Sequence, residues 1–162
     1  MREIKQAYRE WLEAKDKAAR ALELEGDFDL AGKLDACRMF KGNESMSEAV
    51  DLIFTPQGVE FVTRYGFPGI ETMRKFKRHY PEWLGVYVDC GKLTLTDERK
   101  VLLAGNTTAW IKYSETQGNR LVLLHGAKAV VEASGYSVVK IDTDGTCEVE
   151  VVKNDHAKVL MR

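Results

Sequence analysis

Three cysteines (Cys37, Cys90, Cys147) and three histidines (His79, His125, His156) are the side chains best suited to hold a metal or to supply a nucleophile and its base. Structural zinc draws its ligands from close pairs, because two donors a few residues apart can converge on one ion. No such pair occurs, so no metal site is expected. A nucleophile needs a base and an orienting group beside it. Neither a G-x-S-x-G elbow nor a Cys-His signature is present, and His125 and His156 fall where strand-like runs meet turns. The string Asp142-Thr143-Asp144-Gly145 has the first spacing of a calcium loop but lacks its later ligands, and Asp-Gly suits a tight turn. Neither nucleotide-binding glycine motif occurs. The sequence therefore assigns no catalytic residue, cofactor or metal.

One charged cluster stands out. Arg74, Lys75, Lys77 and Arg78 lie in seven residues with His79 and Tyr80. At the end of a helix such cations complement the negative pole of the dipole. They could also contact phosphates, with Tyr80 and Trp83 available for stacking on bases. The whole chain argues for the first reading. Its 24 basic and 25 acidic residues give a formal charge of −1, so no basic field covers it. An odd number of widely spaced cysteines fits a reducing compartment. The polar start MREIKQAYREW is unlike a secretory leader, and no apolar run has membrane length. A cytoplasmic location is expected, with no membrane partner.

The elements that would position these residues divide the chain into a helical region, 1–84, and a β-rich region, 85–162. Residues 2–24 predict an amphipathic helix with Ile4, Tyr8, Trp11, Ala18 and Leu22 on one face and Gly26 as its stop. Asp29 is a candidate cap for a second helix through Leu34 and Cys37, ending near Gly42. Ser45 and Glu48 form a capping box for a third. Thr55-Pro56 starts a fourth, which Gly66 ends. A fifth runs from Ile70 through Lys77 to Tyr80, before Pro81.

After Gly85 the period changes to two. Val86–Val88 and Lys92–Thr96 alternate as strands do. Four alternating triplets follow: Ala129, Val131, Ala133; Ser137, Val139, Ile141; Cys147, Val149, Val151; and Ala157, Val159, Met161. Turn residues separate them. Upstream, Leu102-Leu103-Ala104-Gly105 is echoed 21 residues on by Leu123-Leu124-His125-Gly126. Short strands with small inward residues at a near-constant period predict a β-solenoid or β-roll. Its core would be Ala129, Val131, Ala133, Val139, Ile141, Val149, Val151 and Val159. An antiparallel meander or sandwich would space its strands almost identically.

Several stretches also carry a resemblance: Phe54–Phe61 through Phe67-Pro68, Gly85–Asp89, Gly105–Ala109 and His125–Ala129. Together they resemble a group of small uncharacterised proteins of Bacteroides-type bacteria and their phages or mobile elements. The resemblance spans roughly residues 54–160. It implies a bacterial or mobile-element origin and a β-repeat tail; it implies no chemistry.

The expectation is an α+β protein, helical then all-β. Its expected role is non-enzymatic: a structural or interaction protein that forms a homo-oligomer or binds a protein partner. Two alternatives stand beside it. One is a nucleic-acid-associated protein using residues 74–78; the other is an enzyme without a recognisable motif.

Overall fold

The computed structural model describes residues 1–162. Five helices come first: α1 (Arg2–Leu24), α2 (Phe28–Ala36), α3 (Met46–Ile53), α4 (Pro56–Tyr65) and α5 (Ile70–Lys75). Two short 3-10 segments, Phe76–His79 and Pro81–Leu84, lead into the strands. Nine strands follow: β1 (Val86–Val88), β2 (Gly91–Thr96), β3 (Lys100–Ala104), β4 (Thr107–Tyr113), β5 (Gly118–Leu124), β6 (Lys128–Ala133), β7 (Val138–Thr143), β8 (Glu148–Lys153) and β9 (Lys158–Met161).

The strands wind into a β-solenoid of about four turns. Odd strands form one parallel sheet, β1-β3-β5-β7-β9, and even strands the other, β2-β4-β6-β8. Every neighbouring pair is parallel, which excludes the meander. The spacing of about ten residues between triplets is half a coil. From β3 onward a full coil takes 20 residues, as Val101 pairs with Leu121 and Leu121 with Ile141, whereas the first coil takes 16, as Val86 pairs with Leu102 and Gly91 with Thr107. The apparent 21-residue echo is corrected by one. Leu103 registers with Leu123 and Ala104 with Leu124, so His125, not Gly126, occupies the corner position of Gly105. His125 has φ 55° and Gly105 φ 66°, both left-handed. Asp144 Oδ2 steadies His125 there by accepting its backbone N–H at 2.8 Å.

The same device recurs at other corners. Asp89 accepts from Asn106 N at 2.8 Å, Asp97 from Ser114 N at 2.8 Å, and Asp155 from Gly135 N at 3.0 Å. Each carboxylate thus ties its corner to the adjacent coil. Coil corners expose backbone N–H groups that no strand pairs, and an ionised acceptor satisfies them strongly. Asp89, Asp97 and Asp155 themselves have positive φ, which the short polar side chain of aspartate tolerates better than most.

The helices form a third layer over the outer face of the odd-strand sheet. One core joins Ile4, Trp11, Val59 and Val62 to Val86, Val88, Leu102, Ala104, Val122 and Leu124. A second core fills the solenoid, with Val101, Leu103, Leu121 and Leu123 facing Ala109, Ile111, Tyr113, Ala129, Val131 and Ala133. The two halves therefore meet across a shared sheet. Val101–Ala104 and Leu121–Leu124 are unbroken apolar runs because both faces of that sheet are buried. The even-strand sheet has no helical cover, and Thr108, Trp110, Lys112 and Lys128 on its outer face are exposed.

Three sequence expectations for the helices are corrected. The cap of α2 is Asp27, whose side chain accepts from Leu30 N, and not Asp29. That helix ends at Ala36 rather than near Gly42. Cys37 turns extended, and the Lys15 ammonium draws the carbonyls of Asp35 and Cys37 to 3.0 Å each. The fifth helix stops at Lys75 and tightens into 3-10 turns. The capping box of α3 and the Thr55-Pro56 start of α4 are both present. Gly58 is required where α4 begins, because a Cβ there would collide with the carbonyl oxygen of Leu52.

Candidate functional site

The fold splits the basic cluster. Arg74, Lys75 and Arg78 line a polar recess against α1, together with Arg2, Glu3 and Gln6. Lys77 points elsewhere and donates to the backbone oxygen of Asp89 at 3.1 Å. Arg2 belongs to the cluster only in three dimensions; sequence reasoning missed it because 72 positions separate it from Arg74.

Most of these cations already have partners. Arg74 Nε lies 2.6 Å from Asp89 Oδ2, and its Nη1 lies 2.7 Å from Glu71 Oε1. Lys75 Nζ donates to Gln6 Oε1 at 2.9 Å. Arg78 pairs with Glu3, and His79 Nε2 lies 3.2 Å from the other Glu3 oxygen. Glu3 is a buried carboxylate, 3% exposed, which must be compensated to remain charged. Burial alone would raise its pKa, but hydrogen bonds from its own backbone and from His79, with the charge and hydrogen bond of Arg78, outweigh burial and lower it. The hydrogen bond from Arg74 leads the causes that hold Asp89 low. The cluster therefore latches α5 and its 3-10 extension onto α1 and onto the first coil. Its remaining outward charge is a recess of four cations around one buried carboxylate.

The other candidates are dispersed. Cys90 Sγ sits near Glu82 and the Val88 carbonyl, while Cys147 Sγ sits near Asp144 and Thr146. Burial pushes both thiols up, the direction opposite to an activated nucleophile. His125 Nε2 is 2.7 Å from the Pro68 carbonyl, a contact between a coil corner and the helical layer. His156 stacks on Tyr136 at 4.8 Å. No three His, Cys, Asp or Glu side chains gather closely enough to hold a metal ion.

The two aspartates of the calcium-like string do separate work. Asp142 faces outward from the odd-strand sheet, is 1% exposed and binds Arg162 Nε at 3.0 Å. Asp144 closes its own turn by accepting from Thr146 N and Oγ1. Burial alone would raise the pKa of Asp144; the His125 N–H and the Thr146 hydrogen bonds reverse that and lower it.

The proposed solenoid core lies where the solenoid winds. Ala129, Val131, Ala133, Val139 and Ile141 are buried, whereas Val149, Val151 and Val159 are half-buried in the last coil. Strands β2 and β8 border the even-strand sheet, and β1 and β9 the odd one, with no further strand beside any of them. Leu160 and Met161 on β9 and Val152 on β8 are exposed. The helical hairpin offers a second apolar patch. Leu24 is 90% exposed and Phe28 70%, both near the α1–α2 turn, and α2 packs chiefly on α1. No helix is long and apolar enough to cross a membrane. The chain matches no protein-family model, no curated protein and no solved structure.

Proposed function

We propose that the chain is a non-enzymatic structural or interaction protein that acts by self-assembly or by binding a protein partner. The observation that carries this reading is the uncovered even-strand sheet, bordered by the edge strands β2 and β8, each paired on one side only. The open side of an edge strand presents a row of free N–H and C=O groups, a template for another strand. The exposed Leu24 and Phe28 at the hairpin turn support the same reading. A bacterial or mobile-element origin and a cytoplasmic location belong to this proposal, the origin resting on the resemblance of residues 54–160.

The test is size-exclusion chromatography with light scattering, recording absorbance at 260 and 280 nm together. An oligomer that persists on dilution, or a stable complex with a captured protein that is lost when proline is placed in β2 (Thr94→Pro), supports the proposal. A monomer that captures no protein overturns it.

The recess of Arg2, Arg74, Lys75 and Arg78 favours a second reading, in which it contacts a nucleic-acid backbone. The pairing of Arg74 and Arg78 with Asp89, Glu71 and Glu3 weighs against that reading. Arg2→Ala with Lys75→Ala removes two charges and leaves those pairs intact. Loss of salt-dependent DNA or RNA binding in this variant would favour the second reading. Absence of any binding by the native chain at low salt would end it.

A further inference from the structure

The helical layer does not fill the space above the odd-strand sheet. A void of about 80 Å³ remains between α1, α3, α4 and the outward face of β1, and 17 of its 20 lining residues are hydrophobic. Interiors pack densely enough that voids larger than a water molecule are few. An apolar void stays dry and accepts apolar guests; engineered cavities of roughly 150 Å³ take up benzene. Half that space suits the last few carbons of a chain.

The void has a direction. Ile4, Trp11 and Val88 line its buried part, while Met39, Met46 and Leu52 are only half-buried. Methionine is flexible enough to move aside for a guest. Met39 and Leu52 also line an adjoining surface recess whose charged residues are Lys41, Glu44, Glu48 and Asp51. Glu44 and Glu48 are held in place by backbone N–H groups of Lys41 and Ser45. An apolar pocket thus opens beside a recess carrying three carboxylates and one ammonium.

We infer that the void and its acidic recess form a binding site for a single-chain amphiphile, the alkyl end in the void and an uncharged or cationic head at Asp51. The acidic mouth disfavours a carboxylate head. This site is independent of the strand edges and the basic recess discussed above.

Isothermal titration of the native chain with octyltrimethylammonium, octyl glucoside and octanoate, each below its micellar concentration, tests the inference. The first two are expected to bind one per chain, and octanoate at least tenfold more weakly. Removing each terminal methylene is expected to weaken binding about fourfold while the chain end still fills the void. Ala49→Phe, which fills the void, is expected to abolish binding. Asp51→Lys, on the surface of α3, is expected to shift the preference towards octanoate; it keeps the test decisive if Ala49→Phe does not fold. Absence of saturable binding by all three probes overturns the inference, as does binding that is unchanged in Asp51→Lys or in a folded Ala49→Phe.

Discussion

The two sheets of the solenoid share one winding and one interior, yet their outer faces differ. The odd-strand sheet turns Leu102, Ala104, Val122 and Leu124 outward beneath the helices. The even-strand sheet turns Lys92, Thr108, Lys128 and Glu148 outward in one row, and Thr96, Lys112, Glu132 and Val152 in another. Lys128 and Glu148 approach to 3.6 Å, and Lys112 and Glu132 to 4.0 Å. Exposed pairs of this kind contribute little, roughly 0–1 kcal/mol. Outward residues, rather than the solenoid itself, decide which face takes a helical layer and which stays open.

The largest effect is expected when the same charge is placed on each outer face in turn. Leu102→Asp is expected to unfold the protein at room temperature, because it buries an unpaired carboxylate between two cores. Thr108→Asp, exposed on the even-strand face between Lys92 and Lys128, is expected to change stability by about 1 kcal/mol or less. Urea melts followed by circular dichroism measure both. Equal losses would show that the two faces are buried alike. Ala129→Asp, pointing inward, is expected to match Leu102→Asp, since the interior belongs to both sheets. An unchanged melt would remove Ala129 from the core.

A smaller loss is expected from Leu123→Ala, about 2–5 kcal/mol by the same melts, as it opens a cavity among fully buried neighbours. The corners come next. Asp97→Ala leaves the N–H groups of Ser114 and Glu115 without their carboxylate and is expected to cost about 1–3 kcal/mol.

Acid should sharpen the difference between corners and faces. Glu3, Asp89, Asp97 and Asp144 all have pKa values lowered in the folded state. A lowered carboxyl pKa means the folded state holds the proton less tightly than the unfolded one. The stabilisation is therefore complete above the unfolded value, near 4, and is lost as pH falls through the folded one. Melting temperature is expected to drop on acidification from pH 5 to pH 3, and less steeply in Asp97→Asn. An equally steep drop in that variant would exclude Asp97 as a contributor. The smallest effect is expected from Lys112→Ala, within about 0.5 kcal/mol.

Local signals were legible in the sequence. The Ser45 capping box, the Thr55-Pro56 start and the Gly66 stop each depend on residues within one turn of one another. The alternating triplets were legible too, because inward and outward positions differ at every second residue. Asp29 was the wrong cap because α2 begins earlier, at Phe28, where the Asp27 side chain accepts from Leu30 N. The break in the fifth helix was hidden for another reason. Its 3-10 segment carries Arg78 and His79, whose partner is Glu3 on α1, and no local pattern reports a contact across the chain.

The helical-then-strand order, the caps of α3 and α4 and the period-two interior follow from neighbours along the chain and are read from it directly. Only the tertiary structure decided the 20-residue coil, the placement of His125 at a left-handed corner, the joining of Arg2 to the basic recess and the void above the odd-strand sheet. Each depends on which distant residues are stacked together. Parallel register sets the coil length, and the helical layer must adapt its packing to the sheet face it covers.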